Sequence, residues 1–229
     1  MELEGREIIV TGGTGALGTV VVGALLDSGA RCHVPYTRVR SNARFPHTDR
    51  VTLVPGCDLT VEANVVALYR NVPKLWASIH LAGAFEMGAI EDTDQGALRR
   101  MIDVNLVTCY LCCRAAARTF GEPGGRIVNV AARPALEPRL ASGMTAYGIS
   151  KAGVAALTVS LAAELAPRNI LVNAVAPSVI DSLANRAAMP DAATDAWPTP
   201  KEIAATILFL ASPSNRITSG AVLPAYGRA

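Results

Sequence analysis

Tyr147 and Lys151 stand four residues apart in TAYGISK, residues 145–151, a segment that runs on as a helix-forming stretch through Leu165. Four residues along a helix place two side chains on one face, roughly 5–6 Å apart at Cβ. A phenol in water titrates near about 10, and an ammonium held beside it favours the phenolate and brings the proton closer to exchange at neutral pH. The pair therefore predicts a general acid or base, Tyr147, tuned by Lys151. A tyrosine and lysine at this spacing also arise by chance on amphipathic helices, so the reading depends on the elements that would position them.

The chain has 229 residues, 51% of them hydrophobic and 17% charged, enough to bury a broad core and leave apolar surface for subunit contacts. The net charge of +2 is spread without a run of like charge, which points away from nucleic acid and from a charged membrane surface. The apolar run Ile8–Val10 behind the acidic start MELEGRE is too short for a signal sequence or a membrane span, and a cytoplasmic location is expected. Cys32, Cys57, Cys109, Cys112 and Cys113 are odd in number, and the last three crowd one helical stretch. They read as small buried side chains in a reducing compartment. His33, His47 and His80 are scattered along the chain without ligand spacing, so no metal site is expected.

Short β-branched runs alternate with Ala- and Leu-rich stretches. Strands are predicted at Glu7–Thr11, Arg31–Tyr36, Val51–Pro55, Ala77–Leu81, Arg126–Ala131, Leu171–Ala176 and Ala221–Leu223. Helices are predicted at Ala16–Ser28, Val61–Val72, Ala97–Thr119, Ala146–Ala166 and Pro200–Ala211. Strands that are apolar throughout require cover on both faces. The alternation therefore predicts an α/β fold, one doubly wound parallel sheet of about seven strands with right-handed crossovers, forming a single domain over residues 1–229.

The first strand leads into TGGTGALG, Thr11 to Gly18, and then directly into a helix. Glycines in such a turn permit close approach of the backbone to a pyrophosphate and tight helix–strand packing, and the helix N-terminus offers amide donors to the phosphates. Strand, glycine turn and helix at the start of a βαβ pattern predict dinucleotide binding, by Gly12, Thr14, Gly15, Ala16, Leu17 and Gly18.

Over essentially its whole length the chain resembles the short-chain dehydrogenase/reductase family, whose fold is of the Rossmann type. TGGTGALG is similar to that family's cofactor turn in its extended and atypical branches, with Ala16 where the commonest branch has Gly. CDLT, Cys57–Thr60, resembles the adenine-contacting segment and implies Asp58 and Leu59 there. HLAG, His80–Gly83, stands where the family writes NNAG, keeping Ala82 and Gly83 against the cofactor but neither asparagine. DVNLV, Asp103–Val107, implies Asn105 as the residue that anchors a proton-relay water. NAVAPSVIDS, Asn173–Ser182, implies Pro177, Ser178 and Val179 beside the nicotinamide, with Ser178 in place of Gly. Tyr147 and Lys151 would then be catalytic, and both would also touch the cofactor. Asp or Glu at the end of the second strand would hold ribose hydroxyls in an NAD enzyme. Here that position is Tyr36, followed by Thr37, Arg38 and Arg40, which favours NADP(H) over NAD(H).

The family's active-site serine is missing. Counted forward from Asn129 its position falls on Ala132, and counted back from Tyr147 it falls on Pro134, across a segment about two residues longer than usual. Ser142 and Arg133 are the alternative donors. Dihydropteridine reductases carry a similar turn and also place Ala near the serine position, which extends the substrate class from small C=O compounds to activated C=N or quinonoid acceptors. The segment Asp181–Pro200 occupies the place of a substrate lid, with Leu140, Met144 and Trp197 as candidate lining. Two readings stay open. One is an NAD(P)(H)-dependent oxidoreductase acting on a small-molecule substrate. The other is a cofactor-binding or sensing protein with weak or no catalysis. The apolar helices Ala97–Thr119 and Ala146–Ala166 predict a homodimer or homotetramer.

Overall fold

The computed structural model of the chain describes residues 2–37, 45 and 47–228. Seven strands, β1 (Glu7–Thr11), β2 (Arg31–Tyr36), β3 (Val51–Pro55), β4 (Leu75–His80), β5 (Gly125–Val130), β6 (Ile170–Pro177) and β7 (Val222–Ala225), form one sheet. Their order is β3-β2-β1-β4-β5-β6-β7, and every neighbouring pair is parallel. The order reverses between β1 and β4, and in an open parallel sheet the crevice at that reversal, outside the carboxyl ends of the strands, is where ligands bind. The fold is the doubly wound Rossmann type.

Helices cover both faces because the strands are apolar on both. On one side α1 (Ala16–Asp27) and α8 (Pro200–Ala211) bury Val22, Leu25, Leu26, Ile203, Ile207 and Leu210 against Ile8, Val10, Val128 and Val175. On the other, α2 (Glu62–Arg70), α4 (Thr108–Thr119) and α6 (Thr145–Leu165) pack Leu68, Cys112, Ala116, Val154 and Leu165 against Ile9, Ile127 and Val172. Continuous burial holds for β4 and fails for the edge strands β3 and β7, which have a neighbour on one side only. Helix α6 is long and apolar enough to cross a membrane by length and composition, but Val154, Ala162 and Leu165 on it are buried in the core against the sheet. Thr199 and Glu202 form a capping box that starts α8 at Pro200.

The helix expected at Ala97–Thr119 is three pieces. α3 (Gln95–Met101) is capped by Asp94, a π-helical turn runs from Ile102 to Val107, and α4 continues to Thr119. Two short helices were not predicted, α5 (Arg133–Leu136) and α7 (Leu183–Ala188), each under two turns long and so without a readable period.

Candidate active site

The glycine turn between β1 and α1 is as compact as its sequence requires. Gly12 has φ +67°, and a Cβ there would lie 2.6 Å from the amide nitrogen of Ala82, so the turn is seated directly on the loop that follows β4. A Cβ at Gly18 would meet the carbonyl of Gly12 at 2.1 Å, which leaves room only for glycine in the first turn of α1. Gly15 caps that helix with no side-chain partner, and its first turn contains no acidic residue. The amides of α1 are thus left for an anionic ligand. This fits a dinucleotide pyrophosphate better than a structural turn, which would be capped.

A cavity of about 410 Å³ opens beside the turn, lined in part by Gly12, Thr14, Gly15, Tyr36, Thr37 and Asp58, with Leu59, Ala82 and Gly83 completing the side toward β4. Nine of the residues implied by the sequence therefore share one groove. Ala16 and Leu17 stand next to it at the start of α1. Leu59 turns its side chain into the core, leaving its backbone to the groove. Asp58 accepts hydrogen bonds at one oxygen from the hydroxyl and the amide of Thr60, at 2.7 and 2.9 Å. These hold its carboxyl below the usual carboxylate range, the hydroxyl contributing more. Arg38 and Arg40 lie outside the described residues.

At the other end of the groove, Gly83 brings the catalytic candidates together. A Cβ on Gly83 would sit 2.5 Å from Asn105 Oδ1 and 3.5 Å from Lys151 Nζ. Asn105 is buried in the π-helical turn, where its Oδ1 accepts from the amide of Ala84 at 2.9 Å. Its Nδ2 donates to Ala84 O at 3.0 Å and to Ser150 Oγ at 3.1 Å. Ser150 in turn donates to the carbonyl of Tyr147 at 2.7 Å. The amide of Asn105 thereby pins the β4 loop to the first turn of α6.

Lys151 Nζ donates to the carbonyl of Val130 at 2.9 Å and lies 6.0 Å from the ring centroid of Tyr147. Burial pulls the lysine down to about 8 and pushes the Tyr147 phenol up to about 12. The expectation that Lys151 lowers the phenol is therefore corrected for the protein alone. The ammonium spends a hydrogen bond on Val130, and desolvation of the phenolate dominates. Phe85, which sequence reasoning did not single out, stands edge-on to Tyr147 with ring centroids 5.0 Å apart while remaining 58% exposed.

Ala132 is buried and caps α5 without a side-chain donor. Of the alternatives, Arg133 is occupied, with Nε donating to Glu137 at 3.1 Å and the guanidinium 4.6 Å over the Tyr226 ring. Ser142 is exposed just before α6. Pro177 ends β6, Val179 is half-exposed, and Ser178 Oγ donates to Tyr226 O at 2.9 Å, tying this segment to the C-terminal residues. The segment after it holds α7 with a Ser182 cap and an Asp181–Arg186 ion pair.

Residues 15–227 match the family described as enoyl-(acyl carrier protein) reductase, and galactitol 2-dehydrogenase of Rhizobium johnstonii is 33% identical over 96% of this chain and 93% of its own. The chain belongs to the short-chain dehydrogenase/reductase family. A family member of known structure, from Serratia marcescens, is 27% identical, superposes with a TM-score of 0.87 and is covered completely, as is this chain. ElxO, solved with NADP bound, is 24% identical with a TM-score of 0.88 over 97% of this chain and 98% of its own, a likeness of fold.

One departure from the sequence reading lies beneath the site. His80, distant from the cysteines in the sequence, is brought by β4 to within 3.9 Å of Cys109 Sγ and 3.5 Å of Cys113 Sγ on α4. Separations of 29 and 33 residues carry no ligand-spacing signal, so only the fold reveals the cluster.

Proposed function

We propose that the chain is an NADP(H)-using oxidoreductase acting on a small C=O compound or an activated C=N or quinonoid acceptor, with Tyr147 as general acid and base. The observation that carries the reading is the convergence of Tyr147, Lys151 and Asn105 at the Gly83 end of a glycine-walled groove. A protein that only held a cofactor would need the lysine and the glycines but not the phenol.

When bound, the cofactor supplies or takes up the hydride. The free amides of α1 would hold its pyrophosphate, and the backbone of Asp58 and Leu59 its adenine. Tyr36, Thr37 and Arg38 would accept the 2′-phosphate, and Pro177, Ser178 and Val179 would flank the nicotinamide. The absence of a carboxylate at the end of β2 and the NADP-bound neighbour support NADP(H). Lys151 retains two N–H groups beyond the one given to Val130, available to ribose hydroxyls. Tyr147, protonated at neutral pH, is in the right state to hand a proton to a substrate oxygen or nitrogen as it is reduced. Asn105 acts as a positioning residue for the loop and the relay water. The site lacks a side-chain donor at Ala132, so a substrate already electrophilic suits it, and the likeness of the turn to dihydropteridine reductases supports including quinonoid compounds. Exposed Phe85, Met87, Leu140 and Leu183 give the substrate side an apolar character. Exposed Tyr110 on α4 and Ile149 and Val159 on α6 support assembly into a homodimer or homotetramer in the cytoplasm.

A panel of carbonyl, quinonoid and imine compounds assayed by NADPH oxidation, with wild type and Tyr147→Phe side by side, tests the proposal. Tyr147→Phe is expected to lose about 10²–10⁴ in rate and to keep cofactor affinity within a few fold. Equal rates would remove Tyr147 from its role. No turnover by wild type on any acceptor, with tight NADPH binding, would establish the binding or sensing reading instead.

A further inference from the structure

Directly under the catalytic end of the groove, four donor atoms from three elements converge in the core. They are His80 Nδ1 at the end of β4, Asn129 Oδ1 beside it in β5, and the Sγ atoms of Cys109 and Cys113, one helical turn apart on α4. All four residues are buried. Cys109 and Cys113 lie 3.9 and 3.5 Å from Nδ1 and 3.3 and 3.5 Å from Oδ1, and Nδ1 to Oδ1 is 2.7 Å.

We propose that His80, Cys109, Cys113 and Asn129 form a closed structural site for a thiophilic divalent cation, Zn²⁺ by preference. A tetrahedron with edges of roughly 3.5–3.9 Å has its centre about 2.1–2.4 Å from each corner, which is the range of Zn–N and Zn–S bonds. The four edges from sulfur to Nδ1 and Oδ1, at 3.3–3.9 Å, are at or near this length, the Sγ–Sγ edge is within 4.8 Å, and the Nδ1–Oδ1 edge must open. The ligand type agrees as well, because two thiolates with an imidazole select Zn²⁺ over the hard cations. Two thiolates also cancel the charge of the ion, so the centre is neutral in a core where an unbalanced charge is costly.

The surroundings orient the donors. Without an ion His80 Nδ1 donates to Asn129 Oδ1 at 2.7 Å. On binding the ring proton moves to Nε2, which lies 2.8 Å from Ser78 Oγ and 3.3 Å from Tyr69 Oη and can donate there, freeing the Nδ1 lone pair for the ion. Asn129 Nδ2 donates to Thr158 Oγ1 at 2.9 Å, and Thr158 donates to Val154 O at 2.8 Å. This fixes the amide with its oxygen toward the cysteines. Without an ion, an imidazole and two thiols crowd one carbonyl oxygen that has two lone pairs. Binding releases one S–H proton from each cysteine to solvent as the two sulfur–metal bonds form, and nothing is oxidised or reduced. The ion would tie α4 to the ends of β4 and β5, whose continuation carries Gly83. Cys112, also buried on α4, is outside the four and serves as a control.

Because the donors are buried, Zn²⁺ or Co²⁺ is supplied in the growth medium so that it enters during folding. Plasma mass spectrometry is expected to find about one Zn per chain. Protein grown with Co²⁺ is expected to show the strong visible bands of a tetrahedral ion and a thiolate-to-cobalt charge-transfer band. Cys113→Ser and His80→Asn should lose the metal while keeping far-ultraviolet circular dichroism, and Cys112→Ser should keep it. Less than about a tenth of an equivalent in Zn-grown wild type, no cobalt bands, or a native Cys109–Cys113 disulfide would each overturn the proposal. So would equal loss of metal in Cys112→Ser. Should the variants not fold, the metal content and cobalt spectrum of wild type decide alone. None of these readouts depends on the proposed oxidoreductase activity.

Discussion

Gly83→Ala is the smallest change that tests how the site is assembled. Gly83 does not have a left-handed backbone, so alanine itself carries no strain and would by unfolded-state entropy alone stabilise by about 0.4–1 kcal/mol. The added Cβ, however, falls 2.5 Å from Asn105 Oδ1. Asn105 must move by about 1 Å to reach an ordinary contact, and its amide makes three polar contacts at 2.9–3.1 Å, to Ala84 N, Ala84 O and Ser150 Oγ. Losing one or two of these in a buried setting costs about 1–3 kcal/mol for each group left unpaired. The expected net destabilisation is about 2–4 kcal/mol, which for a domain of this length lowers Tm by roughly 5–15 °C. Urea unfolding of Gly83→Ala, Asn105→Ala and the double variant gives the coupling directly. In the Asn105→Ala background the obstacle is gone, so Gly83→Ala is expected to be neutral or slightly stabilising. If the two single costs simply add in the double variant, the argument that Gly83 exists to admit Asn105 is wrong.

Lys151 predicts a pH dependence. Its folded value, near 8, lies below its ordinary 10.5, so between those limits the unfolded chain holds a proton that the folded chain has lost, and this group makes stability rise with pH across that window. The difference in unfolding free energy between wild type and Lys151→Met should grow in favour of wild type from about pH 8 to 10.5, measured by urea titration. A flat difference would refute the shift. Ala132→Ser places a hydroxyl at the cap of α5, where it adds about 0.5–1 kcal/mol of stability; turnover should rise on plain ketones and change little on quinonoid acceptors, and a gain confined to the quinonoid compounds would contradict the reading of the missing donor. Sedimentation at micromolar concentration should show a species larger than one chain, and a monomer would count against the outer faces of α4 and α6 as contacts. Titration calorimetry should give tighter NADPH than NADH, with the reverse order refuting the reading of Tyr36 and Thr37.

What was legible in the sequence followed from local chemistry. β1, β2, β3 and α8 have the bounds read from their residues, because glycines near the strand ends, Gly12, Gly29 and Gly56, and the Thr-Pro start of α8 supply punctuation. The glycines of the β1–α1 turn were readable because only glycine survives contacts as short as 2.1 Å. The break in the long helix before Thr108 was not, since Ile102–Val107 keeps helical composition and the extra residue of a π turn leaves no compositional mark. Phe85 was missed because its partner, Tyr147, lies 62 positions away. The same holds for His80, whose neighbours are set by the register of β4 with β5. The proximity of Lys151 and Tyr147 was legible from spacing, but the sign of the phenol's shift depends on burial, which four residues cannot report.

The segment between β6 and α8 is held by its own hydrogen bonds and by Arg228, which donates to Ala196 O and Asp195 O. Ser182 caps α7, Asn185 Nδ2 donates to Ile180 O, Arg186 pairs with Asp181, and Asp181 N donates to Pro198 O across the base. Tyr147, Lys151, Asn105 and the glycine turn draw their support from the sheet and from α4 and α6, on the other side of that boundary. The fold thus separates a chassis of sheet, α4 and α6 from a cassette, Ile180–Pro198, braced by its own contacts and by Arg228. On the proposed oxidoreductase reading, exchanging Ile180–Pro198 between relatives with its two ends kept in place should move selectivity while sparing the geometry of Tyr147, Lys151 and Asn105.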